Sequence, residues 1–217
     1  TTIDQDVTEA QMPAWLSATI LEGLAFVSKV FWGPDREFCR SIYADGVLPT
    51  STREPFKQAV EQIGAVVRSY QDGEALFNDL EAQYVALFIS NRQGIAAPLY
   101  HSCYAGPQGA ESEPLLMGTP AVEMRRRLAS SGLALDEDLN QLPDHLCIEI
   151  EYVYFLIKAG WAEGNQNRLA DAKSFAGDWM LPWVRKFHDQ LAKADDETGF
   201  YTLVSGLLVE LLTAIAG

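Results

Sequence analysis

Leu142-Pro143-Asp144-His145-Leu146-Cys147-Ile148-Glu149-Ile150-Glu151-Tyr152-Val153 places a proline, an acid and a histidine where a loop becomes a helix. Leu146, Ile150, Val153 and Ile157 recur by fours and threes, the period of one helix face. Proline or aspartate at the start of such a run marks a helix N-terminus, so Pro143 or Asp144 is expected to open it and His145 to lie in its first turn. Glu149 and Tyr152 follow His145 on a polar stripe roughly 100° from the apolar one. An imidazole, a carboxylate and a phenol in line form an acid–base pair, half of a metal site or a hydrogen-bonded binding wall. A plain helix end, with Asp144 capping and His145 satisfied locally, is the simplest alternative. The stretch holds no nucleophile and no phosphate cradle, which points to recognition more than reaction.

The same period extends outward through most of the chain. Leu16, Ile20, Leu24, Val27 and Phe31 keep it, as do Leu76, Leu80, Tyr84, Leu87 and Phe88, and Phe200, Leu203, Leu207, Leu211 and Ile215. Further helices are expected over Pro34–Asp45, Arg53–Tyr70, Pro120–Ser131 and Arg168–Lys193. No alternating strand pattern, internal repeat or low-complexity tract is present, so the predicted class is all-α, a bundle of about eight to ten helices. Two segments break the pattern. Residues 91–118 hold four glycines and three prolines beside Tyr100 and Tyr104, the makeup of a long ordered loop that carries function. Gly132–Asp144 reads as a central hinge, dividing an N-terminal helical part, 1–135, from a C-terminal part, 136–217.

The 217 residues are 48% hydrophobic, a globular composition. Sixteen Lys and Arg against 30 Asp and Glu leave a net charge of −14, which argues against a nucleic-acid partner and suits a basic one. Leu128 to Ile157 contains no Lys or Arg but six acids, the pattern of a solvated acidic face. Cys39, Cys103 and Cys147 form no CxxC pair, which favours a reducing compartment, the cytoplasm. No signal peptide is visible, and Phe200–Gly217, with Glu210 in its middle, reads as a buried helix, not a membrane anchor. The sequence has no GxSxG elbow, no GxxxxGK[ST] loop and no GxGxxG after a strand. Gly106-Pro107-Gln108-Gly109 lacks a following lysine. His101 and Cys103, with His145 and Cys147, fit no zinc spacing, so no metal is expected. Tyr84, Phe88, Tyr100 and Tyr104 cluster near the start of the loop, and the two beyond the helix offer apolar bodies with polar tips to a ligand.

Together these segments resemble the TorD/DmsD family of redox-enzyme maturation chaperones. Tyr84-Val85-Ala86-Leu87-Phe88 is similar to the family's aromatic followed by Leu-Phe on a helix. Pro98-Leu99-Tyr100-His101-Ser102-Cys103-Tyr104 is similar to its proline–aromatic–serine loop, and Pro143-Asp144-His145, with Glu149 beyond, to its Glu-Pro-x-Asp-His segment. Leu181-Pro182-Trp183 and Phe200-Tyr201 match its last two helices. The chain departs in having Gln141-Leu142-Pro143 ahead of Asp-His, and Trp179 where relatives often have histidine. The resemblance covers about residues 15 to 215.

It implies a cytoplasmic chaperone, not an enzyme, that binds the twin-arginine leader or the body of a molybdopterin-containing oxidoreductase subunit until its cofactor is inserted, preventing premature export by the Tat translocon. No cofactor is expected, weak GTP binding being the exception relatives suggest; the state is a monomer or a domain-swapped dimer. The expected peptide site is the crevice between 84–104 and 142–152: Tyr84, Leu87, Phe88, Pro98, Tyr100, Ser102, Tyr104, Pro143, Asp144, His145 and Glu149. Tyr84, Phe88, Tyr100 and Tyr104 wall its groove, while Asp144 and Glu149 steer from the rim. Asp144→Ala or His145→Ala should then weaken leader binding with stability nearly unchanged. The alternatives are a leader-independent scaffold of the nitrate-reductase chaperone type and a weak guanine-nucleotide hydrolase using His145 and Glu149.

Overall fold

The computed structural model describes residues 14–47, 56–90, 94–106, 118–136, 140–162, 164–194 and 198–217. Helix α1 spans Ala14–Phe31. It ends where Gly33 takes φ 114°, a conformation that L side chains rarely adopt, and Pro34 follows. Helix α2, Arg36–Asp45, starts at Asp35, whose carboxylate accepts from the Phe38 amide at 2.8 Å. After α3, Lys57–Ser69, Asp72 caps α4, Gly73–Tyr84, by accepting from Glu74 and Ala75. A π-turn, Val85–Ile89, prolongs α4, and a 3₁₀ turn, His101–Tyr104, lies in the long loop. Helix α5 is Thr119–Ser130, with Pro120 in its first turn, and α6 is Leu146–Ala162. Helix α7, Gln166–Ser174, runs through a π-turn at Phe175–Met180 into α8, Leu181–Ala194; α9 is Phe200–Ala216.

The chain is all-α, as its periodicity predicts; among the described residues the only extended pairing is one isolated bridge. Helix α9 is the hub. It buries Phe200, Tyr201, Val204, Leu207, Leu208, Leu211, Leu212 and Ile215 and packs against α1, α3, α7 and α8. A Cβ on Gly23 would lie 2.9 Å from Leu211 Cδ2, so glycine sets how closely α1 approaches α9. The other side of α1 lies along α6, which α7 covers in turn. Every residue from Pro143 to Ile150 is therefore buried. No helix among the described residues is long and apolar enough to cross a membrane. Residues 53–55, 91–93, 107–117 and 137–139, which take in the start expected for α3, parts of the long loop and two hinge acids, lie outside the described residues.

Candidate functional site

Proline restrains the residue before it to extended backbone, and Pro98 and Pro143 stand just ahead of two segments that meet. Tyr100 and His145 form an antiparallel bridge: the His101 amide donates to the Asp144 carbonyl at 3.0 Å and the Leu146 amide to the Leu99 carbonyl at 2.8 Å. The loop and the Asp-His segment are thus one bonded unit. The crevice expected between them is closed, because their backbones satisfy each other there.

Asp144 fastens this unit. Its Oδ2 accepts from the Ser102 amide at 2.9 Å and from the Ser102 hydroxyl, while its Oδ1 is buried without a hydrogen-bond partner. The side chain is wholly buried, so Asp144 is no rim charge, and replacing it removes bonds that hold the loop. The expectation that Asp144→Ala spares stability is overturned on that ground. Leaving a buried acceptor unpaired costs about 1–3 kcal/mol, more for a charge, and such a group calls for an explanation.

His145, not Asp144, is the helix cap. Its carbonyl accepts from the Glu149 amide at 3.1 Å and its Nδ1 from the Cys147 amide at 3.2 Å, so the neutral ring carries its proton on Nε2. Burial drives its pKa down to about 4, against a smaller opposite pull from Asp144. The ring stacks on Trp32, with centroids 4.9 Å apart and planes 14° apart, and meets the edge of Tyr100 at 5.2 Å.

Glu149 is also wholly buried, which removes it from the rim. It sits on a helix packed on several sides, where a carboxylate persists only if donors surround it. Trp179 Nε1 donates to its Oε1 at 3.0 Å, Trp183 Nε1 to its Oε2 at 2.9 Å, and His101 Nδ1 lies 3.0 Å from Oε1. Burial raises its pKa, and these contacts offset part of the rise. Its imidazole partner is His101, not His145. Tyr152, expected on the same stripe, is buried against Phe175, with its hydroxyl 3.0 Å from Ser131 Oγ.

The expected groove walls are mostly core. Phe88 lies edge-on to Phe31 at 5.8 Å and to Tyr201 at 5.2 Å, and Leu87 is buried beside it, its carbonyl accepting from Ala97 at 3.0 Å. Tyr84 donates its hydroxyl to the Phe31 carbonyl at 3.0 Å. Tyr104 stacks on Trp183 and donates to the Pro98 carbonyl at 2.9 Å. Tyr100 is half-buried and bonds Gln141. Two hollows lie near this unit. One, about 290 Å³, runs between α1 and α6 and reaches Trp32; the other, about 340 Å³, reaches His101, Tyr104, Trp179 and Lys186. Among the described residues no cluster of His, Cys, Asp and Glu could hold a metal ion.

Residues 49–189 match the family model described as Nitrate reductase delta subunit. The chain is 31% identical over 157 residues to the chaperone protein TorD of Photobacterium profundum, covering 70% of this chain and 69% of that one. It is 29% identical over 160 residues to the TorD of Vibrio parahaemolyticus, covering 72% and 71%. It belongs to the TorD/DmsD family of redox-enzyme maturation chaperones. The fold agrees: a protein from Archaeoglobus fulgidus assigned to redox enzyme maturation superposes with a TM-score of 0.52 at 16% identity, covering 95% of this chain and 99% of that one.

Within this TorD/DmsD fold, sequence reasoning missed Trp32, Trp183 and His101 as the partners that hold His145 and Glu149. Trp32-Gly33-Pro34 signals a helix end but not what the indole touches. The spacing of Trp179 and Trp183, four apart on one helix face, was the legible hint that both indoles point the same way.

Proposed function

We propose that this chain is a cytoplasmic chaperone that binds the twin-arginine leader of a molybdopterin-containing oxidoreductase subunit and carries out no reaction itself. Family membership supports the chaperone role. The observation that carries the leader reading is the net charge of −14, which suits a cationic segment, together with half-buried Tyr100 on the bridged unit. Guanidinium meets carboxylate in a two-pronged geometry that lysine cannot copy. Affinity comes mainly from apolar contact: about 300 Å² of leader surface contributes roughly 7–8 kcal/mol gross at ~25 cal/mol/Å², before ordering costs. Exposed ion pairs add only about 0–1 kcal/mol each and chiefly set register.

The hydrolase alternative loses its acid–base pair, because Glu149 is engaged by His101 and two indoles and His145 faces Trp32 and Tyr100. Burial pushes the Cys103 thiol up to about 11, which leaves little thiolate at neutral pH. The match to the nitrate reductase delta subunit model favours one second reading, a scaffold that needs no leader. Calorimetric titration with a twin-arginine leader peptide and its twin-lysine variant tests the proposal. Binding of the first, weakened on the order of tenfold in the second, is expected; no binding of either contradicts it.

A further inference from the structure

In the hollow beside α8, most polar atoms on the walls are already spoken for and two are not. Tyr104, Trp179, Pro182 and Trp183 give it apolar sides, and its volume, about 340 Å³, falls within the range of small-ligand sites, roughly 300–1,000 Å³. Both indole N–H groups are taken by Glu149 and the Tyr104 hydroxyl by the Pro98 carbonyl, so these rings offer the hollow carbon. His101, only 9% exposed, holds Nδ1 3.0 Å from Glu149. Its Nε2 bonds no described residue yet is not shut off from solvent, so it opens on the hollow that the ring lines. Lys186 Nζ donates to the Tyr104 carbonyl at 3.0 Å and meets no carboxylate among the described residues. A half-buried ammonium without a counter-ion stands out in a chain with 30 acids against 16 bases.

The other charges around the hollow decide how much negative charge it accepts. Asp178 stands on the same rim, but it is exposed, and water and salt screen it. Arg127 lies over the Trp179 ring at 4.8 Å and is held by Glu123. Glu149, behind His101, has each oxygen committed to an indole N–H. One negative charge therefore finds a partner in Lys186, and a second would face Asp178. The hollow is also joined to the bridged unit, because His101, whose ring lines it, donates its amide to the Asp144 carbonyl at 3.0 Å.

We propose that this hollow binds a monocarboxylate with a compact apolar body, its carboxylate taken by Lys186 and His101 Nε2 and its body packed against Trp179, Trp183 and Tyr104. The imidazole contact requires the proton on Nε2, and a bound carboxylate favours that form of the ring. A free organic acid and the last residue of a polypeptide both carry this chemistry, one charge beside an apolar group. A polyphosphate does not, since its further charges meet Asp178. The site stands apart from the leader reading and does not depend on it.

NMR titration of the isotope-labelled protein with phenylacetate and with acetyl-Ala-Phe, each beside its uncharged amide, tests the site. At millimolar concentrations the acids should shift the indole N–H signals of Trp179 and Trp183 and leave that of Trp32, in the other hollow, in place. Each amide should bind at least about fivefold more weakly than its acid. Lys186→Gln, which keeps a donor for the Tyr104 carbonyl, should weaken the acids roughly threefold to tenfold. Asp178→Asn should strengthen them about twofold, and Lys193→Gln, exposed on the same helix as Lys186, should change nothing. The acid that binds more tightly names the source: phenylacetate a free acid, acetyl-Ala-Phe a chain end. Acid and amide of equal affinity, shifts at Trp32 in place of Trp179 and Trp183, affinity indifferent to Lys186→Gln, or no binding of either acid overturns the proposal.

Discussion

His145 is the residue whose environment departs furthest from what its sequence neighbours suggest. Beside Asp144, in a segment without a single Lys or Arg, a histidine is expected to gain a proton; burial instead lowers its pKa from 6.5 to about 4. The sign of its effect on stability follows. Between those two values the unfolded chain binds a proton that native His145 refuses, so its contribution is complete above pH 6.5 and is lost as the pH falls toward 4. The loss amounts to about 2–3 kcal/mol between pH 7 and 4.5, at ~1.4 kcal/mol per pH unit. Glu149, with its pKa raised by burial, acts in the opposite sense, so the readout is the difference between wild type and His145→Asn in urea unfolding at the two pH values. The variant should lose less stability on acidification by about that amount. Equal losses would show that His145 titrates like an exposed imidazole. The burial of Asp144 and Glu149 was not legible in the sequence for a related reason. An acid in an acid-rich run looks like surface, and the groups that make burial tolerable lie far away: Ser102 for one, Trp179 and Trp183 for the other.

Among the elements, the long loop and the start of α6 behave as one piece because two backbone bonds and the Asp144–Ser102 contacts join them. The strength of that joint is measurable. Ser102→Ala removes one of two donors to a buried carboxylate oxygen, at a cost of about 1–3 kcal/mol, and should speed hydrogen exchange at the His101 and Leu146 amides, which donate across the bridge. Exchange unchanged at both amides would mean that the backbone bridge holds without the side chain. Helix positions were legible because the apolar period of each helix is strong: Leu16 to Phe31 lies within α1, and Phe200 to Ile215 within α9. Periodicity did not separate a groove wall from the core. Phe88 and Tyr104 have the aromatic character of either, and only their contacts with Phe31, Tyr201 and Trp183 assign them to the interior. The π-turns at Val85–Ile89 and Phe175–Met180 were not read from the pattern.

Across the whole molecule, helices α1, α6 and α9 pack so that α6 carries its buried acids beside the loop, while the α1–α6 hollow stays open to one side of Trp32. Its histidines are engaged, its thiols are pushed up by burial, and its net charge of −14 complements a cationic partner. Helical class was within reach of the sequence through its apolar period, and family through short motifs in a fixed order, whereas the crevice expected between the Tyr100 and His145 segments is a backbone bridge. The contact of Trp32 with Glu151 was not within reach, because Trp32, just past the end of α1, and Glu151 on α6 stand 119 residues apart and meet only in the fold. The most direct test of the account is equilibrium binding of a client molybdoenzyme subunit prepared with its twin-arginine leader and again with the leader deleted. Loss of at least about tenfold in affinity on deletion, close to 1.4 kcal/mol, is predicted; equal affinity for the two forms would contradict it and make this chain a scaffold for the folded subunit.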